Sequence, residues 1–157
     1  MKFSLLGLKV SPYYGCNLLR PKDVAIDNPE NPSILEGITE ALGAEVVFNN
    51  RRLRCCGSYQ TVSEKGLVAD LVYDIIKGAA RAGADLIITA CPLCSFNLDW
   101  RQKDAMEAHS DHKFIPVIYY TELTALALGI GNGFSGEHFV DPQPLLQKFL
   151  EKEKGGI

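Results

Sequence analysis

The sequence predicts an α/β fold, a mainly parallel sheet of about four strands with helices on both faces. Three observations lead there. Short apolar runs alternate along the chain with longer segments whose apolar residues recur every third or fourth position. The connections between these runs are long enough to be right-handed helical crossovers, which make successive strands parallel and cover both faces of the sheet. Finally, Cys16, the pair Cys55-Cys56, and the pair Cys91 and Cys94 follow three different predicted strands. In such a sheet ligands collect beyond the carboxyl ends of the strands, so all five cysteines are expected on that one edge.

Taken in order, Phe3 to Val10 reads as the first strand, and the turn-rich Ser11-Pro12-Tyr13-Tyr14-Gly15 delivers the chain to Cys16. After a loop holding Pro21, Pro29 and Pro32, Ser33 with Glu36 three positions on forms a capping-box pattern. The helix it opens carries an apolar stripe of Ile34, Ile38 and Leu42 and stops at Gly43. Ala44 to Phe48 is the next strand and runs out through Asn49-Asn50-Arg51-Arg52 to the vicinal cysteines. A helix from about Glu64 to Ala82 repeats apolar pairs every fourth residue, from Leu67/Val68 to Ala79/Ala80. Asp85 to Ala90, with its run Leu86-Ile87-Ile88, suits a fully buried parallel strand. Pro92 at a first helical position, with Cys91 at or near the cap, opens a helix reaching Met106. A strand from Phe114 to Tyr120, a helix through Leu123, Leu126 and Leu128, the glycine-rich Gly129 to Gly133, and a last helix over Pro142 to Leu150 complete the chain.

A length of 157 residues, 46% hydrophobic and 22% charged, suits a single domain over residues 1–157, with residues 148–157 expected to form a frayed tail. The net charge of −3 argues against nucleic-acid binding, which depends on accumulated Lys and Arg. The N-terminal segment carries no small-residue cleavage site, and no apolar run reaches the roughly 20 residues of a membrane helix. A cytoplasmic protein without a transmembrane segment is expected, and five cysteines, an odd number, favour metal or redox chemistry over a disulfide framework.

Adjacent cysteines are hard to explain as packing, because a buried Cys behaves as a small hydrophobe with no reason to pair. They read as ligands. Structural zinc takes four ligands, one fewer than the five sulfurs here, whereas an iron-sulfur cluster offers several irons to neighbouring thiolates. The N-terminus of the helix at Pro92 would face Cys91 and Cys94 with free N–H groups, and Arg51, Arg52 and Arg54 add positive charge beside the vicinal pair as possible anion contacts. The same arginines also suit a solvated loop.

Cys16, 38 intervening residues, Cys55-Cys56-Gly57, 34 residues between Cys56 and Cys91, and then Cys91-Pro92-Leu93-Cys94 form a pattern that resembles the CCG, or cysteine-rich, domain found in the B-type subunit of heterodisulfide reductase. Flanking words match as well: Pro12-Tyr13-Tyr14-Gly15-Cys16, Leu42-Gly43-Ala44-Glu45-Val46, Ala82-Gly83-Ala84-Asp85, Asn97-Leu98-Asp99 and Val140-Asp141-Pro142. The resemblance is to the C-terminal half of that protein and covers residues from about Lys9 to Leu146. Two departures stand out. Members of the family commonly carry two such domains in tandem where this chain has one, and the spacing from Cys56 to Cys91 is one residue shorter than the family pattern leads one to expect.

The resemblance implies a noncubane 4Fe-4S cluster held by Cys16, Cys55, Cys56, Cys91 and Cys94, with Gly15, Gly57 and Pro92 in supporting positions. Gly57 would let backbone approach the cluster, and Pro92 would fix the start of the helix behind it. It also implies part of a CoB-CoM heterodisulfide reductase-like oxidoreductase that receives electrons from a ferredoxin-like iron-sulfur subunit and reduces a disulfide or a quinone-type acceptor. Further subunits of such a complex would be partners, attachment to a membrane could come through them, and a homodimer could stand in for the tandem partner. Two other classes remain: a zinc-held interaction module, and a thiol-disulfide protein cycling Cys91 and Cys94. His109 and His112 read as surface residues and His138 as structural, while Tyr13, Tyr14, Tyr119 and Tyr120 either line the pocket or simply pack.

Overall fold

In the computed structural model, which describes residues 3–130 and 137–151, four parallel strands form one sheet in the order β2-β1-β3-β4. The strands are β1 (Lys9–Tyr13), β2 (Glu45–Val46), β3 (Leu86–Thr89) and β4 (Val117–Tyr119). The helices are α1 (Ile34–Ala41), α2 (Lys65–Arg81), α3 (Pro92–Trp100), α4 (Gln102–Ala108), α5 (Tyr120–Leu128) and α6 (Gln143–Glu151). The α/β fold expected from the alternation is therefore the fold observed.

Strand residues alternate between two buried cores, as a sheet covered on both faces requires. Val10, Leu86, Ile88 and Ile118 point into one core with Leu35 of α1, Leu123 and Leu126 of α5, and Leu146 of α6. Tyr13, Ile87 and Val117 point into the other with Val68, Val72, Ile75 and Ile76 of α2, Leu98 of α3 and Ala105 of α4. The register aligns Val10 with Leu86 and Ile87 with Val117, which brings the carboxyl ends of the three longer strands to one edge.

The first strand lies later than the apolar run suggests. Gly7 adopts a left-handed φ of 86°, and Leu8 N–H bonds back to the Leu5 carbonyl, so residues 3–8 form a turn whose Leu5 and Leu8 are still buried. The strand then continues through Pro12. A proline without an N–H is tolerated there because β2 pairs only with Lys9 and Val10, leaving that side of β1 open beyond Val10.

Three further local expectations change. Ser33 caps α1 without a side-chain hydrogen bond; Asp27 Oδ2 instead accepts the N–H groups of Ser33 and Ile34 at 2.6 and 2.7 Å. Glu36 turns inward rather than back to the cap, so the buried face of α1 holds Leu35, Glu36 and Thr39 while Ile34 is exposed. The helix expected from Pro92 to Met106 breaks at Arg101 (φ −80°, ψ 0°). The cause is Gln102, whose buried amide bonds the carbonyls of Leu98 and Ile115 and accepts Ile115 N–H, drawing α4 toward β4.

The last helix falls where expected, so residues 148–151 are helical, and 152–157 lie outside the described residues, as does most of the glycine-rich run. No helix among the described residues is long and apolar enough to cross a membrane.

Candidate metal centre

Cys16 stands three residues past β1, Cys91 two residues past β3, and Cys55 and Cys56 on the loop that leaves β2. Backbone bonds draw these loops together: the Arg52 carbonyl accepts both Tyr14 N–H at 3.0 Å and Gly15 N–H at 3.2 Å. The sulfurs consequently meet in pairs. Cys16 Sγ lies 3.7 Å from Cys55 Sγ, and Cys56 Sγ lies 3.5 Å from Cys94 Sγ. Cys91 is close enough to Cys94 to hydrogen-bond it and raise its pKa. All five thiols are free. Cys56, Cys91 and Cys94 are buried, Cys16 is half-buried and Cys55 is exposed.

Cys91 occupies the cap position of α3 with Pro92 first in the helix, and Ser95 N–H bonds the Cys91 carbonyl at 2.9 Å. Cys91 and Cys94 thus sit at the N-terminal end of α3, a position where a helix favours negative charge. The contact between Cys56 and Cys94 divides their acidity. Once Cys56 ionises, Cys94 is the donor across that contact, which lowers the Cys56 pKa to about 6 and pushes that of Cys94 well up.

Two glycines shape the cradle. Gly15 has a left-handed φ of 67°, and a Cβ there would stand 2.9 Å from Cys94 Sγ. Gly57, at φ 77°, leaves room for Leu71 Cδ1, which a Cβ would meet at 2.8 Å, and its N–H donates to Cys55 Sγ at 3.4 Å.

Tyr13 lies behind the sulfurs and donates its hydroxyl to the Arg54 carbonyl. Burial first, and then the neighbouring thiols, keep that phenol protonated. Tyr14 packs away from the thiols: its hydroxyl bonds Glu36 and accepts Leu35 N–H at 2.8 Å, holding the start of α1 to the loop before Cys16. Tyr119 hydrogen-bonds Ser95, and burial raises its pKa against the effect of that bond.

The three arginines all have carboxylate partners. Arg51 and Arg54 share Asp74 at 2.8 and 2.5 Å, and Arg52 lies 3.5 Å from Glu36 and 3.2 Å from Asn31 Oδ1. None of the histidines meets a thiol in these contacts. His109 bonds Asp70 and stacks on Tyr73, His112 packs edge-on against Phe114, and His138 sits between Glu122 and Asp99.

Reading residues in isolation passes over Asn97, which is fully buried and donates its amide to the Cys56 carbonyl at 2.6 Å. A signal exists in the sequence: Asn97 lies three positions after Cys94 and so shares its face of the helix.

The donor set suits a soft, multi-metal group. The thiols meet as the pairs Cys16–Cys55, Cys56–Cys94 and Cys91–Cys94, and among the described residues no three ligands close on one single-ion position.

A family model described as a cysteine-rich domain, CCG, matches residues 10–99. The chain is 39% identical over 131 residues to the 8-methylmenaquinol:fumarate reductase membrane anchor subunit of Wolinella succinogenes, covering 83% of this chain and 46% of that protein. It is 34% identical over 129 residues to the B-type subunit of the ferredoxin:CoB-CoM heterodisulfide reductase of Methanosarcina mazei, covering 79% and 42%. An Archaeoglobus profundus protein described as like the B-type subunit of heterodisulfide reductase is 33% identical over 163 residues, covering 98% and 54%. The chain spans about half the length of these curated relatives.

Proposed function

The chain belongs to the CCG cysteine-rich domain family, and from that membership we propose that it is an iron-sulfur redox domain whose Cys16, Cys55, Cys56, Cys91 and Cys94 hold a noncubane 4Fe-4S cluster. The observation that carries this reading is the meeting of those thiols on one sheet edge, two pairs of them at 3.5 and 3.7 Å. The cluster would supply electrons one at a time, so that a disulfide takes up two electrons and two protons to give two thiols.

The chain's own part is to present and protect the ligands. Gly15 keeps the space beside Cys94 clear, and Gly57 and Asn97 set the loop of the vicinal pair. Burial of Cys56, Cys91 and Cys94 limits water and oxygen, while exposed Cys55 lies where an acceptor or an electron-donating partner would approach. Arg51 and Arg54, half-exposed around Asp74, flank that approach and could contact an anionic substrate.

The whole protein would be a CoB-CoM heterodisulfide reductase-like oxidoreductase, its electrons arriving from a ferredoxin-like iron-sulfur subunit and its acceptor a disulfide or a quinone. A second CCG domain would supply the other half. Leu93, Phe96 and Trp100 recur along the exposed face of α3, and Tyr59 and Val62 are exposed on the loop after the vicinal cysteines. Such a surface suits that partner, and a concentration-dependent dimer in gel filtration is expected, a strict monomer at high concentration counting against it. The domain would work in the cytoplasm and reach a membrane only through partner subunits.

Visible absorption of protein purified without oxygen tests the reading. Brown colour that bleaches with dithionite and returns on adding a disulfide supports it. A colourless protein would mark a zinc-held interaction module instead, since zinc thiolates do not absorb in the visible.

A further inference from the structure

A chain of hydrogen bonds runs from Arg101 to the vicinal cysteines, and its two ends fix its direction. Arg101 Nε can only donate, and it donates to Thr61 Oγ1 at 2.9 Å. The Cys56 carbonyl can only accept, and it takes the Asn97 amide N–H at 2.6 Å. The Asn97 Oδ1 therefore faces Thr61, 3.0 Å away, and the hydroxyl already accepting from Arg101 sends its proton there. Every link donates toward Cys56. Asp104 holds the guanidinium at the far end at 3.2 Å, and Asn97 is fully buried, so water offers its amide no alternative partner.

The consequence lies on the other edge of the same peptide. A trans peptide is planar, with C=O and N–H pointing in opposite directions. Pinning the Cys56 carbonyl against Asn97 therefore fixes where Gly57 N–H points, and it points at Cys55 Sγ, 3.4 Å away. The left-handed φ of 77° at Gly57 makes that orientation available. On the other side of Cys55, the Tyr13 hydroxyl clamps the Arg54 carbonyl, so the exposed cysteine is carried between two anchored peptides.

We propose that Arg101, Thr61 and Asn97 are positioning residues that turn Gly57 N–H onto the Cys55 sulfur and polarise that N–H···S bond from the guanidinium. The inference rests on the proposed reading of Cys55 as a ligand of a redox group. An N–H donor directed at a ligand sulfur stabilises the more negative, reduced state, and chains of aligned donors strengthen one another. Loss of the relay therefore lowers the reduction potential without removing a ligand.

The test compares the wild-type chain with Thr61→Val, which keeps the shape of the side chain and removes the hydroxyl, and with Thr61→Ser, which restores it. The expected result is equal iron per chain in all three, a lower midpoint potential for Thr61→Val, and a return toward the wild-type value for Thr61→Ser. Equal potentials at equal iron content would overturn the proposal. Iron analysis reports separately on the site itself. Should the wild type or a variant hold no iron, the three proteins are compared metal-free by hydrogen exchange at the Gly57 amide. Exchange several-fold faster in Thr61→Val and slowed again in Thr61→Ser supports the relay, and an unchanged rate overturns it.

Discussion

Gly15 and Cys94 approach so closely that a Cβ on the glycine would stand 2.9 Å from the sulfur. The glycine belongs to the loop after β1 and the cysteine to the first turn of α3, so one contact locks two of the cysteine-bearing segments against each other. The φ of 67° adds a second demand, because an L side chain in that region costs about 1–2 kcal/mol. Gly15→Ala is expected to lose about that much stability in denaturant unfolding and to lower iron per chain by displacing Cys94. Wild-type stability with full iron content would show that the approach does not constrain the site.

Tyr14 offers a test of the support behind the site. Its hydroxyl serves both Glu36 and the Leu35 N–H of a buried helix start. Tyr14→Phe leaves that N–H without its acceptor and takes one donor from a carboxylate that keeps Arg52 at 3.5 Å. A loss of about 1–3 kcal/mol is expected by chemical denaturation, the usual cost of an unsatisfied buried polar group. A change under about 0.5 kcal/mol, typical of surface substitutions, would contradict the pairing.

How much of this arrangement could be read from residues alone follows the range of the forces involved. The four-residue repeat of α2 and the apolar run of β3 report local periodicity directly, and the cysteines' positions after the strands place the candidate site before any coordinate is known. What escapes is set by tertiary partners. Ser33 and Glu36 carry the spacing of a capping box, yet Tyr14 and Arg52 draw Glu36 inward and Asp27 takes over the cap. Gln102 breaks a helix that its own propensity would continue, because Ile115 lies within reach of its amide. Thr61 and Asn97 are unremarkable polar residues 36 positions apart until folding joins them.

His138 makes stability depend on pH in a defined window. Its hydrogen bond to Glu122, then the charges of Glu122 and Asp99 and a bond to the Val117 backbone, raise its pKa against the opposing effect of burial. A raised histidine stabilises the fold fully below the unfolded value of about 6.5 and loses that contribution as pH rises through the folded value. The stability advantage of wild type over His138→Gln is therefore expected to be largest near pH 6 and to shrink toward pH 9. Burial also raises the Asp99 pKa, against the lowering by its bonds to the Phe139 and Val140 N–H groups. An advantage independent of pH, or one growing with pH, would contradict the assignment.

The vicinal cysteines separate redox readings of the site. Cys94, in the first turn of α3, pairs at 3.5 Å with Cys56 on the loop after β2, so it takes part in more than its own CxxC. Changing Cys55 and Cys56 together to Ser is expected to abolish visible absorption and bound iron. Dithiol exchange by Cys91 and Cys94 at the wild-type rate in the double variant, with no cluster lost, would favour a thiol-disulfide protein.

The central claim is that five thiols on one sheet edge hold an iron-sulfur cluster, and metal and sulfide analysis of protein purified without oxygen tests it most directly. The account predicts about four iron and about four acid-labile sulfide per chain. About one zinc and no sulfide would contradict it.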